Sequence, residues 1–147
     1  MTRWIVASSE PELSLLLHAA DAQPSRNING FPYYTGRLKN EPVSLGIVGV
    51  GIVSAALAMG GFLASQGISQ IVMVGSAGAF PNSQLEIGDV AVATSEALAE
   101  LGVCSGRGMA DASPLSFLGL AQTVSLDEQL GRQMTQAFQG SFAVRMG

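Results

Sequence analysis

The sequence predicts an α/β fold, a mostly parallel central sheet flanked by helices. Three observations carry this. Short apolar runs recur without the alternation of a half-buried strand, the mark of strands covered on both faces. Segments with apolar residues at helical spacing separate these runs. Strands that alternate with helices form parallel sheets. With 147 residues the chain can fill one core and does not need two, so residues 1–147 read as a single domain.

The elements follow in order. Trp4–Ala7 is the first strand. Glu10–Ala20 is a helix, with Leu13, Leu16 and Leu17 on one face. Ser9 is its expected N-cap, Glu12 the N3 residue of a capping box, and Pro11 fits the first turn. His18 sits where the helix dipole favours a cation and reads as structural. Phe31–Leu38 is an additional strand, entering a hairpin with Val43–Val48. Ser54–Gln66 is the second helix, closed by Gly67. Ile71–Val74 and, after the Gly88-Asp89 turn, Val90–Thr94 are further strands. Val103–Gly119 lacks periodicity and reads as a long loop. Ser125 and Glu128 form a capping-box pattern before a helix over Asp127–Gln139. Phe142, Val144 and Met146 then alternate as the start of a strand, so the fold is expected to be incomplete at its C-terminal end.

Composition excludes several function classes. Only 12% of residues are charged, the net charge is −4, and seven residues are basic. Clustered Lys and Arg are what phosphate contacts need, so nucleic acid is not an expected partner. One cysteine and one histidine leave no internal disulfide and no Cys- or His-rich metal site, and neither metal nor cofactor is expected. These counts suit a reducing, cytoplasmic setting. Trp4–Ala7 is too short for the apolar core of a signal peptide. From Pro42 to Leu85 there is no charged residue, which raises a membrane span over Leu45–Ala64. Five glycines in that window, a strand-like first part and flanks without excess Lys or Arg argue against it.

Three segments could carry chemistry. Gly49-Val50-Gly51-Ile52-Val53-Ser54 partly matches a dinucleotide-binding turn. Its third small residue is Ser54, and the acid expected about 20 residues on falls in a neutral stretch, so the match is rejected. What stays open is a glycine turn that brings a ligand near the backbone of Val50, or tight helix–strand packing alone. Gly75-Ser76-Ala77-Gly78 lies at the carboxyl end of a strand, where small residues leave room for a ligand and backbone N–H groups can bind it. It is not a nucleophile elbow, which would need glycine at Val74, and the alternative is an ordinary turn. Glu12 either caps its helix or faces the same edge as Ser76 and holds a water there. The two roles are expected to exclude each other unless its side chain leaves the cap. Cys104 has only Arg107 nearby to activate it and is not assigned a reactive role.

In sum, Ile5-Val6-Ala7 leading to Glu12, Val48-Gly49-Val50-Gly51 opening a helix, Val72-Met73-Val74-Gly75-Ser76-Ala77-Gly78-Ala79, and Leu85-Glu86-Ile87-Gly88-Asp89-Val90-Ala91-Val92 resemble the nucleoside phosphorylase and nucleosidase superfamily. Within it, Glu96–Val103 and Leu118-Gly119 resemble the futalosine hydrolases of the alternative menaquinone pathway. The resemblance implies release of hypoxanthine from futalosine by N-ribosyl hydrolysis. The alternatives are a 5′-methylthioadenosine/S-adenosylhomocysteine nucleosidase and a non-catalytic nucleoside-binding remnant. It further implies that Glu12 activates the attacking water, that Ser9 and Val50 lie near the ribose and the departing group, and that Ser76, Ala77 and Gly78 line the ribose and base site. Asp89 reads as structural. Phosphorylases carry an arginine where Met73 stands, and a thioether cannot grip phosphate, so hydrolysis is favoured over phosphorolysis. The family's acid for the leaving base and its ribose-binding Met-Glu pair match nothing before Gly147. This chain alone is therefore expected to be catalytically impaired. The family also implies a homo-oligomer.

Overall fold

The computed structural model describes residues 2–65, 67–98, 102–106, 108–111, 123–139 and 144–146. They form two compact units, Met1–Gly78 and Ala79–Gly147. The first contains β1 (Thr2–Ala7), α1 (Glu10–Ala19), β2 (Gln23–Pro24), β3 (Tyr33–Leu38), β4 (Glu41–Ile47), α2 (Ile52–Ser65) and β5 (Ile68–Met73). Its five strands form one sheet in the order β2-β3-β4-β1-β5. β1 runs parallel to both β4 and β5. β3 is antiparallel to β4, and β2 to β3. The sheet is thus mixed, parallel where it matters for the site and antiparallel towards one side.

Alternation along β1 builds two cores. Trp4 and Val6 pack with Tyr33, Val48 and, from α2, Ala58 and Phe62. Ala7 packs on the opposite face with Val43, Leu45 and, from α1, Leu13. β1 and the Val43–Gly46 stretch of β4 are covered on both faces, which is why they read as apolar runs without alternation. The first core is aromatic: the Trp4 ring centroid lies 4.7 Å from Phe62 and 5.2 Å from Tyr33, within the range of favourable ring pairs.

The β3–β4 hairpin turns on Lys39 and Asn40, with φ of 48° and 67°. This is a two-residue turn whose twist matches that of the strands, and it joins the two strands expected from the sequence. The apolar window Leu45–Ala64 is divided between β4 and α2. No helix among the described residues is long and apolar enough to cross a membrane.

The second unit contains β6 (Val90–Val92), β7 (Ser95–Ala97), β8 (Gly102–Ser105), β9 (Gly108–Asp111), β10 (Thr123–Ser125), α3 (Glu128–Phe138) and β11 (Val144–Met146). β11 lies parallel to β6, so the alternation of Val144 and Met146 does mark a strand; Phe142 lies outside the described residues. Two expectations are corrected. The first part of the expected loop is a hairpin, with Gly102–Ser105 antiparallel to Gly108–Asp111; residues 112–119 lie outside the described residues. The cap of α3 is Asp127, not Ser125: Asp127 Oδ1 accepts the Leu130 N–H at 2.9 Å, while Ser125 is spent in β10, which pairs with β7. The Asp89 turn is structural as expected, its carboxylate accepting the Glu86 N–H at 2.9 Å.

Gly46 tests the aromatic core. A Cβ there would stand 2.8 Å from Phe62 Cε2 and 3.2 Å from Trp4 Cζ3, and both rings are buried. Gly46→Ala is expected to destabilise the chain by about 1–3 kcal/mol through overpacking, read as a lower urea midpoint. An unchanged midpoint would show that the rings yield freely.

Candidate active site

The site forms where β1 and β5 end side by side. β1 stops at Ala7, and Ser8-Ser9 carry the chain into α1. Ser9 is the N-cap, with extended backbone at φ −142° and ψ 157°. Glu12 therefore stands in the first helical turn, directly above the end of the sheet. β5 continues the pairing for one residue, the Val74 N–H donating to the Val6 carbonyl at 2.8 Å. Gly75 and Ser76 thus emerge beside the start of α1.

The Glu12 carboxylate joins the two segments. Its Oε2 accepts the Ser9 N–H at 3.1 Å and the Ser9 hydroxyl at 3.0 Å. Its Oε1 accepts the Ser76 N–H at 3.0 Å and the Ser76 hydroxyl at 3.3 Å. Capping and facing Ser76 therefore do not exclude each other, contrary to expectation. A carboxylate has two oxygens, and each serves one neighbour.

These bonds hold Glu12 below the usual carboxylate range. The Ser76 N–H contributes most, then the Ser9 hydroxyl; partial desolvation opposes them, and the Ser9 N–H and Ser76 hydroxyl add to the lowering. Donors that bond the ionised form favour it. The carboxylate offers about four lone-pair positions, and the four donors fill them. The two N–H groups are fixed by the backbone, but the hydroxyls can rotate. With every position taken, displacement of a serine hydroxyl would be needed to open one to another donor, and Ser76 Oγ, at 3.3 Å, makes the longest of the four bonds.

The other expected residues lie on the same edge without bonding to this carboxylate. The Val48 N–H donates to the Ala7 carbonyl at 2.9 Å, so the turn that follows leaves the sheet beside β1. Gly49 and Gly51 have φ of 77° and 91°, a left-handed backbone that favours glycine. Between them Val50 is 80% exposed. Ser76, Ala77 and Gly78 are all exposed. Within the first unit the edge is an open shelf. A groove of about 280 Å³ lies elsewhere, lined by Arg3, Ile5, Leu38, Val43, Gln70 and Val72 towards the amino ends of β1 and β4. His18 is exposed in the last turn of α1, away from Glu12. Cys104 is a free, exposed thiol. Sequence reasoning placed Gly75 in the small-residue turn but assigned it no role of its own; in the structure the Glu12 carboxylate lies over it.

Comparison with known proteins agrees with this architecture. The model of the Phosphorylase superfamily matches residues 2–145. A 5′-methylthioadenosine/S-adenosylhomocysteine nucleosidase of Maridesulfovibrio salexigens is 36% identical over 90 residues, 61% of this chain and 38% of that protein. The structure of an S-adenosylhomocysteine nucleosidase from Streptococcus pyogenes, in complex with 5-methylthiotubericidin, superposes with a TM-score of 0.73 at 30% identity, covering 99% of this chain and 61% of that one. A futalosine hydrolase mutant of Helicobacter pylori superposes with a TM-score of 0.76 at 17% identity, covering 100% of this chain and 66% of that one; at this identity the likeness is one of fold. The chain spans less than two thirds of the length of each of these relatives. With the family model matched over nearly its whole length and the sheet edge arranged as described, the chain belongs to the Phosphorylase superfamily.

Proposed function

We propose that the chain carries the water-holding half of an N-ribosyl hydrolase acting on 5′-methylthioadenosine and S-adenosylhomocysteine. The observation that carries this reading is the ionised Glu12 carboxylate, held between Ser9 and Ser76 at the carboxyl edge of the sheet. The choice of substrate is supported by the names of the curated relatives, which are nucleosidases of this class. Futalosine, the substrate first expected, has weaker support: the match over Glu96–Val103 and Leu118-Gly119, and the fold-level likeness to the Helicobacter enzyme.

In this mechanism water adds across the bond between the ribose anomeric carbon and the base nitrogen. The bond's electron pair leaves with the base, positive charge builds on the sugar, and a proton must reach the base. Glu12 accepts a hydrogen bond from the water in place of a serine hydroxyl. Its negative charge favours the cationic sugar, and the fixed Ser9 and Ser76 N–H groups keep it oriented during the reaction. Ser9 and Val50 lie towards the ribose and the departing group. Ser76, Ala77 and Gly78 line the ribose and base site, partly through backbone groups. Met73, exposed at the end of β5, offers no charge to hold phosphate, which favours water as the nucleophile.

The test is calorimetric titration of the chain with 5′-methylthioadenosine, with adenine release followed by chromatography and futalosine as the comparison. The reading expects saturable binding, tighter for 5′-methylthioadenosine than for futalosine, with slow adenine release that still exceeds hypoxanthine release. Glu12→Gln should lower that release to the uncatalysed background while nucleoside still binds. Failure to bind any of these nucleosides at millimolar concentration would falsify the reading.

Acid should act on the same carboxylate. The folded pKa of Glu12 is lowered, so its contribution to stability is complete above the ordinary glutamate value of about 4.3. That contribution is lost as pH falls through the lowered folded value. Thermal unfolding between about pH 6 and pH 3 should show a loss for the native chain that is smaller in Glu12→Gln. Parallel curves would show that these bonds do not distinguish the folded from the unfolded state.

The homo-oligomer is likewise a proposal, supported by α2. Ile52, Val53, Leu57 and Leu63 are each more than half exposed on it, and the stretch from Pro42 to Leu85 has no charge. A second copy could therefore meet this face without like-charge repulsion. Sedimentation should show a dimer or larger species that dissociates in Leu57→Asp; a monomer at tens of micromolar would rule the association out.

A further inference from the structure

The Glu12 carboxylate rests on the backbone of β5's extension. A Cβ built on Gly75 would stand 2.9 Å from Glu12 Oε1, 3.6 Å from Cδ and 4.0 Å from Oε2. We propose that Gly75 is a positioning residue of this site: its bare Cα is the floor that lets the Glu12 carboxylate reach the Ser76 N–H and hydroxyl, and any side chain there lifts the carboxylate off Ser76.

The geometry separates this role from one in folding. Gly75 does not have the left-handed φ found at Gly49 and Gly51, so its backbone accepts alanine. The residue is exposed, and the three atoms nearest the added methyl all belong to the end of one flexible side chain. The strain therefore falls on Glu12, not on the sheet. An ordinary carbon–oxygen contact is about 3.3–3.6 Å, so Oε1 must withdraw by roughly half an ångström. Its bonds to Ser76 already measure 3.0 and 3.3 Å, and the same withdrawal takes both to or beyond about 3.5 Å, where such bonds are lost. The Ser9 bonds are on the other oxygen and can persist, so the variant keeps its helix cap and loses its connection to β5.

The functional consequence rests on the reading of Glu12 as the water-holding group; the steric claim does not. Both can be examined by carbon NMR of the Glu12 carboxyl and by the Ser76 amide proton, titrated from pH 7 to pH 3. In the native chain the Glu12 midpoint should lie below the ordinary range, and the Ser76 amide should follow it. In Gly75→Ala the midpoint should rise towards the ordinary value and the Ser76 amide response should be lost, with circular dichroism retained and the unfolding midpoint lowered only by the loss of the Ser76 bonds. Ser76→Ala keeps the backbone donor and should shift the Glu12 midpoint less. An unshifted Glu12 midpoint in Gly75→Ala would overturn the proposal. So would an unfolded Gly75→Ala chain, because the backbone and not the carboxylate would then have taken the strain. 5′-Methylthioadenosine titrated into the native chain keeps the two ideas apart: if no nucleoside binds while Gly75→Ala still frees Glu12 from Ser76, the steric claim stands and the nucleosidase reading falls.

Discussion

The site is organised by one carboxylate that answers to two parts of the chain. Glu12 closes the first turn of its own helix through Oε2 and reaches Ser76, 64 residues away, through Oε1. Neither bond alone would define its position. A cap can be made with the side chain in more than one orientation, and a contact to a loop can follow that loop as it moves. Together they fix both oxygens, and they do so with neutral donors, so the negative charge is oriented but not cancelled. A paired lysine or arginine would have stabilised the carboxylate more and left less charge to act on a developing cation.

That arrangement depends on the sheet beneath it. β1 lies between β4 and β5, and its carboxyl end is held on both sides, by Val48 on one neighbour and Val74 on the other. The two cores clamp the strand from above and below, with Trp4 and Val6 against α2 and Ala7 against α1. The charged group itself stands on a short connection, but every element meeting that connection is anchored in buried apolar contact. A rigid strand end under a two-residue link places a functional group better than a long loop does.

Much of this was legible in the residues. Trp4–Ala7 and Val43–Val48 announced strands because both faces are covered, Ile71–Val74 because its residues pack partly into the two cores, and Leu13, Leu16 and Leu17 announced a helix because their spacing matches one buried face. β2, β7 and β10 were not legible: they have two or three residues each, with neither the apolar run that marks β6 nor the alternation that leads into β11. The β8–β9 hairpin was hidden by its glycines and serines, which look the same in a strand pair and in a loop. Asp127 was passed over for Ser125 because both are good caps and only the hydrogen bond decides between them. At the site, the capping pattern Ser9…Glu12 was visible, and its partner across the sheet was suggested only by placing both segments at the carboxyl ends of parallel strands. No local spacing encodes a contact between residues 12 and 76. Gly75 was noted as a small residue, but its particular role was not legible: what matters there is an absent side chain, and that importance appears only once another residue is seen lying over it.

The place of β1 in the sheet also shapes how the protein is made. β1 leaves the ribosome before both of the strands that flank it, β4 and then β5, the second not complete until Met73. At about 5–20 residues per second, Trp4–Ala7 waits several seconds as an apolar segment with no strand to pair with. The β3–β4 hairpin, joined by a two-residue turn, closes within itself as soon as it emerges and can offer β4's free edge to the waiting segment. The other edge of β1 is satisfied only when β5 arrives, and the Glu12 carboxylate acquires its second serine at that same late moment. Until Ile68–Met73 has emerged, the nascent chain therefore presents an unpaired β1 edge, the kind of surface on which chaperones act during synthesis.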